Sequence, residues 1–359
     1  MSENIREIGQ RFGIPGEIIS LENIKNGNIN STYKVTYSSV GEGNVTYVFQ
    51  RINTYVFKEP RKIMENIDLV TSHIAKKSGE RTMLSFLRTA DGDNYISTDD
   101  GFWRVMNYID SFTFDTCDDL GIIEATGEAF GEFQVLLSDL DGSRLHETIP
   151  DFHNTRRRLD TLFESAKADP VGRRYKALKE LDYIRTVGDL ACSLWDRYVV
   201  GDFPVRVTHN DTKSNNVLFD KETLKPLCVI DLDTVMPGMA MYDFGDAVRS
   251  SCSTAAEDER DLTKVELDTE KFTAFCCGYM RQVKHALTKV EIQSLVLGAF
   301  SITVELAARF LTDFLDGDKY FKVDYPEHNL VRARCQLKLA KDIVSKCDIL
   351  NQILRDETE

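Results

Sequence analysis

The chain has 359 residues, 42% hydrophobic and 28% charged. That is more than one core usually organises and too apolar for long disorder, so two lobes are expected. The formal charge of −14, from 44 basic and 58 acidic side chains, excludes nucleic acid and anionic membrane as partners unless basic groups cluster.

The densest basic run, Arg156-Arg157-Arg158, lies in a helix-like stretch and reads as a solvated helix face. Eight cysteines occur without a CxxC pair, and Cys276 and Cys277 are adjacent. Reduced thiols and no zinc site are expected. The opening MSENIREIGQRFG has no apolar core, so no signal peptide is read there and a cytoplasmic setting is expected.

In chain order, INSTYKVTY and VTYVFQRI flank a Gly41-Glu42-Gly43-Asn44 turn, which predicts a hairpin over 29–51. After Pro60, Ile63, Ile67, Val70 and Ile74 recur at helical spacing. Short strands are expected at 83–87 and 94–97, then a compact apolar strand, FWRVMNYI, at 102–109. From about residue 119 helical patterns dominate: 121–140, 154–168, 173–199, 269–286, 288–315 and 327–355. Strand-like runs at 205–208, 216–219 and 227–232 interrupt them. The apolar stretch 295–311 carries Glu305 and Arg309. It falls short of the ~20 apolar residues of a spanning helix and reads as a buried core helix, whose charges need partners.

The fold expected is therefore α+β. A small N-terminal sheet lobe, residues 1–108, precedes a larger, mainly helical lobe, residues 109–359, with a hinge at 107–118.

The stretch RVTHNDTKSNNVLF, residues 206–219, holds His209, Asp211 and then Asn216 five residues on. Fifteen residues later comes Val229-Ile230-Asp231-Leu232-Asp233. Phosphoryl transfer needs a carboxylate to take a hydroxyl proton, and hard oxygen ligands for the metal on a triphosphate. A polar turn is the plain alternative. Strand-like residues on both sides of the loop favour the chemical reading, with Asp211 as base and Asn216 and Asp231 as Mg2+ ligands. His209 and Asp243 are expected to support the loop, and Asp246 to cap a following helix.

The HNDTKSNN loop and the IDLD strand resemble the aminoglycoside phosphotransferase and choline kinase superfamily, which has the two-lobed protein-kinase-like fold. KNGNINSTYKV, YVFQRIN, VIDLDTVMPGMAMYDFGDAVR and YFKVDYPEHNLVRARCQLKL, together with the loop, are similar to the N-acetylhexosamine 1-kinases. The resemblance spans nearly the whole chain.

It implies ATP as co-substrate, Mg2+ as cofactor and an alcohol group on a small molecule as acceptor. It further implies phosphorylation of N-acetylglucosamine or N-acetylgalactosamine at the anomeric hydroxyl. By resemblance Arg309 and Tyr320 contact the sugar, with Asp233 and Asp211. Arg309 paired with Asp313 at helical spacing is the plain alternative.

The nucleotide loop departs from a glycine-rich pattern. It offers Gly27, Asn28, Asn30, Ser31 and Thr32, either over phosphates or as an ordinary polar hairpin. No lysine stands in YVFQRIN. Gln50 and Arg51 lie on opposite faces of that strand, and Glu65 is a candidate partner for whichever faces the cleft. Kinases of choline, homoserine, a thiosugar or an aminoglycoside, and an inactive nucleotide-binding module, remain alternatives. No aromatic box for a choline-like cation is evident near the loop. A monomer is expected.

Overall fold

The computed structural model describes residues 2–24, 29–39, 43–79 and 83–358. Gly27 and Asn28 lie outside the described residues. Helix α1 (Ser2–Arg11) and strand β1 (Glu17–Ile24) open the chain. Neither was expected. β1 is a half-exposed edge strand with a register shift between Ile18 and Ser20, which breaks its alternation.

The expected hairpin is β2 (Ser31–Ser39) and β3 (Gly43–Ile52), and the helix after it is α2 (Pro60–Ser78), with proline in its first turn. β4 (Ile96–Thr98) and β5 (Gly101–Asn107) complete an antiparallel sheet of order β1-β2-β3-β5-β4. The strand expected at 83–87 is only a bridge from Phe86 to Met106.

Alternation gives the sheet two apolar faces. Ile5, Ile8 and Phe12 cover Val35, Phe49 and Val105 on the outer face. The inner face, with Ile52, Phe102 and Met106, meets Ile63, Ile67 and Val70 of α2 and continues into the core of the second lobe.

The connecting segment pairs with that lobe through Phe112 and Phe219, each donating its N–H to the other's carbonyl. Then follow α3 (Leu120–Leu136), α4 (Thr155–Ala168) and α5 (Leu178–Val199). Four short strands come next: β6 (Arg206–Thr208), β7 (Val217–Phe219), β8 (Pro226–Val229) and β9 (Met236–Gly238), paired β6-β9 and β7-β8. The rest is helical: α6 (Ala240–Ser251), α7 (Thr269–Val283), α8 (Lys289–Ile292), α9 (Leu295–Asp316), α10 (His328–Ser345) and α11 (Cys347–Thr358).

Two long helices expected from periodicity are each broken in two, at 293–294 and at Lys346. The chain is thus an α+β, two-lobed protein of protein-kinase-like architecture. α9 is, among the described residues, the helix long and apolar enough to span a membrane, and it is packed inside the protein against α4, α5, α6 and α10.

Two helix crossings depend on glycine. A Cβ at Gly298 of α9 would lie 2.1 Å from the Met241 carbonyl oxygen, and one at Gly278 of α7 2.0 Å from the Glu124 carbonyl oxygen of α3. Backbone cannot yield as a side chain does. Gly278→Ala is therefore expected to cost about 1–3 kcal/mol through overpacking. Gly188→Ala, whose Cβ would meet only the end of Leu159 at 3.3 Å, should be neutral or gain up to about 1 kcal/mol from helix propensity. Urea unfolding of both variants checks the contrast. Equal effects would mean that the α3–α7 crossing is not held by backbone contact.

Candidate active site

The loop between β6 and β7 is built on carboxylates of α6. Asp243 accepts the N–H groups of His209 and Asn210, both at 2.7 Å. Asp246 accepts the N–H of Thr212 at 2.8 Å, and its other oxygen binds Arg249. Asp246 is thus inside α6 and not at its cap. Burial pushes the Asp243 acid up to about 6 against the amides it accepts from, which leaves it ionised at neutral pH. Burial alone would raise Asp246 too, but the Arg249 guanidinium outweighs it and holds the acid below its usual value.

His209 is fully buried. Its Nε2 donates to the Ile230 carbonyl at 2.8 Å, and its Nδ1 accepts the Asp211 N–H at 3.3 Å. This ties the loop to the end of β8. Asn210 has φ of 63°, and its side chain bonds Thr208 and the Thr234 carbonyl. Asn tolerates this left-handed conformation better than most residues.

Asp211 lies beside Asn216, whose Nδ2 donates to the Asp211 carbonyl at 2.8 Å and to its Oδ2 at 3.2 Å. Lys213 Nζ is also 3.2 Å from that Oδ2. The Ile230 N–H donates to the Asn216 carbonyl at 2.9 Å, which brings Asp231 to the same place. Asp211, Asn216 and Asp231, separate in sequence, are therefore brought together.

Asp231 is left-handed, with φ of 61°, and opens to the cleft. Its carboxylate has no hydrogen bond or ion pair among the described residues, and neither does the Asn216 Oδ1. The walls of the cleft, then the charges of Asp233 and Asp211, push the Asp231 acid up to about 6, against Lys213 and Arg104. A carboxylate and an amide oxygen left free beside other acids suit a hard divalent cation. Mg2+ in particular takes one or two protein ligands and completes its shell with phosphate and water. Among the described residues no cluster of three His, Cys, Asp or Glu offers a fuller cage.

On the sheet side the strand lysine is replaced by a network. Gln50 faces the cleft, while Arg51 lies over Gly101 on the other face. Gln50 Nε2 donates to the Thr32 hydroxyl at 3.1 Å, and its Oε1 accepts from Arg104 Nε at 2.9 Å. Arg104 also pairs with Asp233. Asn30 donates to the other oxygen of Asp233 at 2.6 Å, and its own Oδ1 accepts the Asn53 N–H.

Asp233 is only 3% exposed. It locks the first lobe to the second, a different place from the substrate contact expected of it. Thr32 is buried in the same network, whereas Ser31 is exposed at the start of β2. Glu65 turns away and pairs with His146 at 2.6 Å, so it is no partner for the sheet.

On the helical side, Arg309 lies 5.0 Å from the Phe152 ring and 5.7 Å from the Phe321 ring. It has no hydrogen bond or ion pair among the described residues. Asp313, the expected alternative partner, instead accepts the N–H groups of Lys319, Tyr320 and Phe321. Tyr320 is thereby presented at the surface, 56% exposed, with its ring against Phe321.

Beside the loop is a cavity of about 230 Å³ whose wall includes Phe152, Trp195, Tyr198, Tyr242 and Asn210, with Glu147 and Asp151. Aromatic residues near the loop thus exist, drawn from three separate segments.

This fold and this loop define a class. The family model of the APH phosphotransferase enzyme family matches residues 20–271, and the chain belongs to that family, whose members transfer phosphoryl groups to small-molecule alcohols. Solved structures similar to it include an aminoglycoside phosphotransferase from Alicyclobacillus acidocaldarius subsp. acidocaldarius DSM 446. That protein is 12% identical with a TM-score of 0.62, over 98% of this chain and 96% of the other. Choline kinase from Cryptosporidium parvum Iowa II is 14% identical with a TM-score of 0.57, over 99% and 100%. A spectinomycin phosphotransferase in complex with ADP and spectinomycin is 11% identical with a TM-score of 0.59, over 96% and 98%. At such identities they share the fold.

Sequence reasoning missed Arg104 and Lys213. A charge inside an apolar strand was the available sign for Arg104, and closeness to the loop for Lys213.

The free Asp231 carboxylate has a measurable consequence. Its acid is raised from 3.8 to about 6, so the folded protein holds that proton more tightly than the unfolded chain. Ionising Asp231 therefore lowers stability, fully above about pH 6 and not at all below the unfolded value. In metal-free protein Asp231→Asn should raise the melting temperature at pH 8, with the gain shrinking as pH falls through 6 towards 4. Mg2+ should raise the wild-type melting temperature and leave that of the variant unmoved. A gain independent of pH, or an equal response to Mg2+, would remove Asp231 from the metal site.

Proposed function

We propose that the chain is an ATP- and Mg2+-dependent kinase of N-acetylhexosamines that phosphorylates the anomeric hydroxyl of N-acetylglucosamine or N-acetylgalactosamine. The observation that carries the sugar reading is Arg309, a guanidinium against two aromatic rings with no hydrogen bond or ion pair among the described residues. A neutral sugar must be recognised by hydrogen bonds, and Arg309 and Tyr320 sit where a carbonyl or hydroxyl would find donors. The likeness of five separate segments to the N-acetylhexosamine 1-kinases supports it.

In this reading the nucleotide lies between residues 1–108 and 109–359, under the turn that includes Asn30 and Ser31. Asn216 and Asp231 would hold Mg2+, which would supply positive charge to neutralise the phosphates. Asp211 accepts the proton of the acceptor hydroxyl. Lys213, 3.2 Å from that carboxylate, puts positive charge near the phosphoryl group in flight. The anomeric hydroxyl is the most acidic of a sugar, and a loose transition state asks for positioning more than for a strong base. Eight free cysteines fit a reducing, cytoplasmic setting, and the protein acts as a monomer.

A second reading rests on the aromatic cavity with Glu147 and Asp151. Aromatic faces with nearby carboxylates attract a cationic amino alcohol, the kind of acceptor named for the choline kinase.

Asp211→Asn should lower kcat about 10²–10⁴-fold, the usual worth of a general base, with ATP binding retained. Arg309→Ala should raise KM for the sugar far more than for ATP. The deciding measurement is ADP release across N-acetylhexosamines, glucosamine, choline and aminoglycosides, with phosphorus NMR of the product. An anomeric phosphate supports the sugar reading. A six-phosphate, or transfer to choline with none to any N-acetylhexosamine, sinks it and leaves the kinase reading standing.

A further inference from the structure

His153 sits between two acceptors. Its Nδ1 is 2.8 Å from Oε1 of Glu305, and its Nε2 is 3.1 Å from the carbonyl oxygen of Asn210. A carbonyl oxygen can only accept. The other Glu305 oxygen already accepts the Thr155 hydroxyl at 2.6 Å, and that hydroxyl is 2.8 Å from the Tyr242 hydroxyl. Protons in this chain run from Tyr242 to Thr155 to Glu305, so no donor there is left to serve His153. Two protons must then lie between the ring and its two acceptors. Imidazole is more basic than a carboxylate, so both belong on the ring.

His209, in the β6–β7 loop itself, provides a contrast: it donates from Nε2 and accepts at Nδ1.

Position gives the ring its use. Glu305 is completely buried on α9, one turn before Arg309. Asn210 precedes Asp211 and has left-handed backbone. Every polar group of Asn210 is engaged: its N–H by Asp243, its side chain by Thr208 and Thr234, and its carbonyl by His153. The ring is thus the link from the helix bearing Arg309 to the loop bearing Asp211. Around it stand Glu305 and Arg309 from α9 and Tyr242, Asp243 and Asp246 from α6. Burial would raise the Glu305 acid, but His153, Thr155 and Arg309 together hold it below its usual value, as an ionised acceptor.

We propose that His153, with a proton on both ring nitrogens, is a positioning residue that sets the acceptor helix α9 in register with the carboxylate of Asp211. It acts through its two acceptors, Glu305 and the Asn210 carbonyl. The proposal rests on Asp211 as the base. Losing the ring would let the base drift from the acceptor, and misplacement of about 1 Å costs on the order of 10²-fold in rate. Glutamine cannot replace it, because its amide would donate to one acceptor and turn its carbonyl toward the other.

The test has two arms. In 15N-histidine NMR of the wild-type protein at neutral pH, His153 should carry protons on Nδ1 and Nε2, with His209 protonated on Nε2 alone as internal reference. In steady-state kinetics His153→Gln should lower kcat about 10²-fold with the KM for ATP unchanged. A His153 ring protonated at one nitrogen, or a His153→Gln enzyme with wild-type kcat, overturns the proposal. The NMR arm needs no substrate, so it judges His153 even if the variant does not fold. A wild-type protein that transfers phosphate to nothing would count against the kinase reading and leave that arm intact.

Discussion

One carboxylate organises the second lobe. Asp243 accepts two consecutive backbone amides of the loop, and hydrogen bonds to a charged acceptor contribute about 1.5–3 kcal/mol each. Together with the side-chain bonds of Asn210 to Thr208 and Thr234, they hold the left-handed turn there against its strain. The same helix does more through neighbouring residues. Tyr242 reaches Thr155 at the start of α4, Asp246 takes the Thr212 amide, and Gly245 would place a Cβ 2.6 Å from the Gly298 backbone of α9. Within five residues α6 fixes the loop, the start of α4 and α9 relative to each other. That density explains why nearly all of α6 is buried.

The two lobes are joined by a different device. Arg104 and Asp233 are buried together, at 2% and 3% exposure, with Gln50 and Asn30 satisfying what they leave open. A buried pair gains little net stability over apolar packing, but breaking it strands a charge. Its effect is on geometry: Asp233 holds the segment after Asp231 against β5 and the start of β2. Asn66 of α2 adds a neutral clasp, donating to the His146 and Val235 carbonyls and accepting the His146 amide. Charge that a protein kinase would place on a strand lysine is here one strand over, and it is spent on holding the cleft.

The loop was legible because its chemistry is local. His209, Asp211, Asn216 and Asp231 fall within one short span, and each residue type suits only a few tasks. The sheet hairpin and most helices were legible because they bury one face at a regular period. α1 and β1 were not, since β1 is half exposed and irregular. α6 was hidden by Gly245 in its middle, a poor helix former that only the approach of α9 explains. The helical side of the cleft was hidden for a further reason. Phe152, Tyr242, Glu305 and Arg309 come from segments far apart in the chain, as the Thr155–Glu305 bond across 150 residues illustrates, and no local pattern reports that they meet.

Asp231 and Asp233 are two residues apart, joined by a single tight turn at Leu232–Thr234, and their fates are opposite. Asp233 is buried, yet both oxygens are occupied by Arg104 and Asn30. Asp231 faces the cleft with neither oxygen bonded among the described residues and with its acid raised by its surroundings. A fold selected only for stability would have relieved the second as it relieved the first. Asp231 has left-handed backbone at the start of the same turn that buries Asp233. The satisfied acid therefore holds the unsatisfied one in place. Above about pH 6 such a carboxylate lowers its energy by meeting a cation, and a cation that arrives with phosphate brings the ligands the protein does not supply.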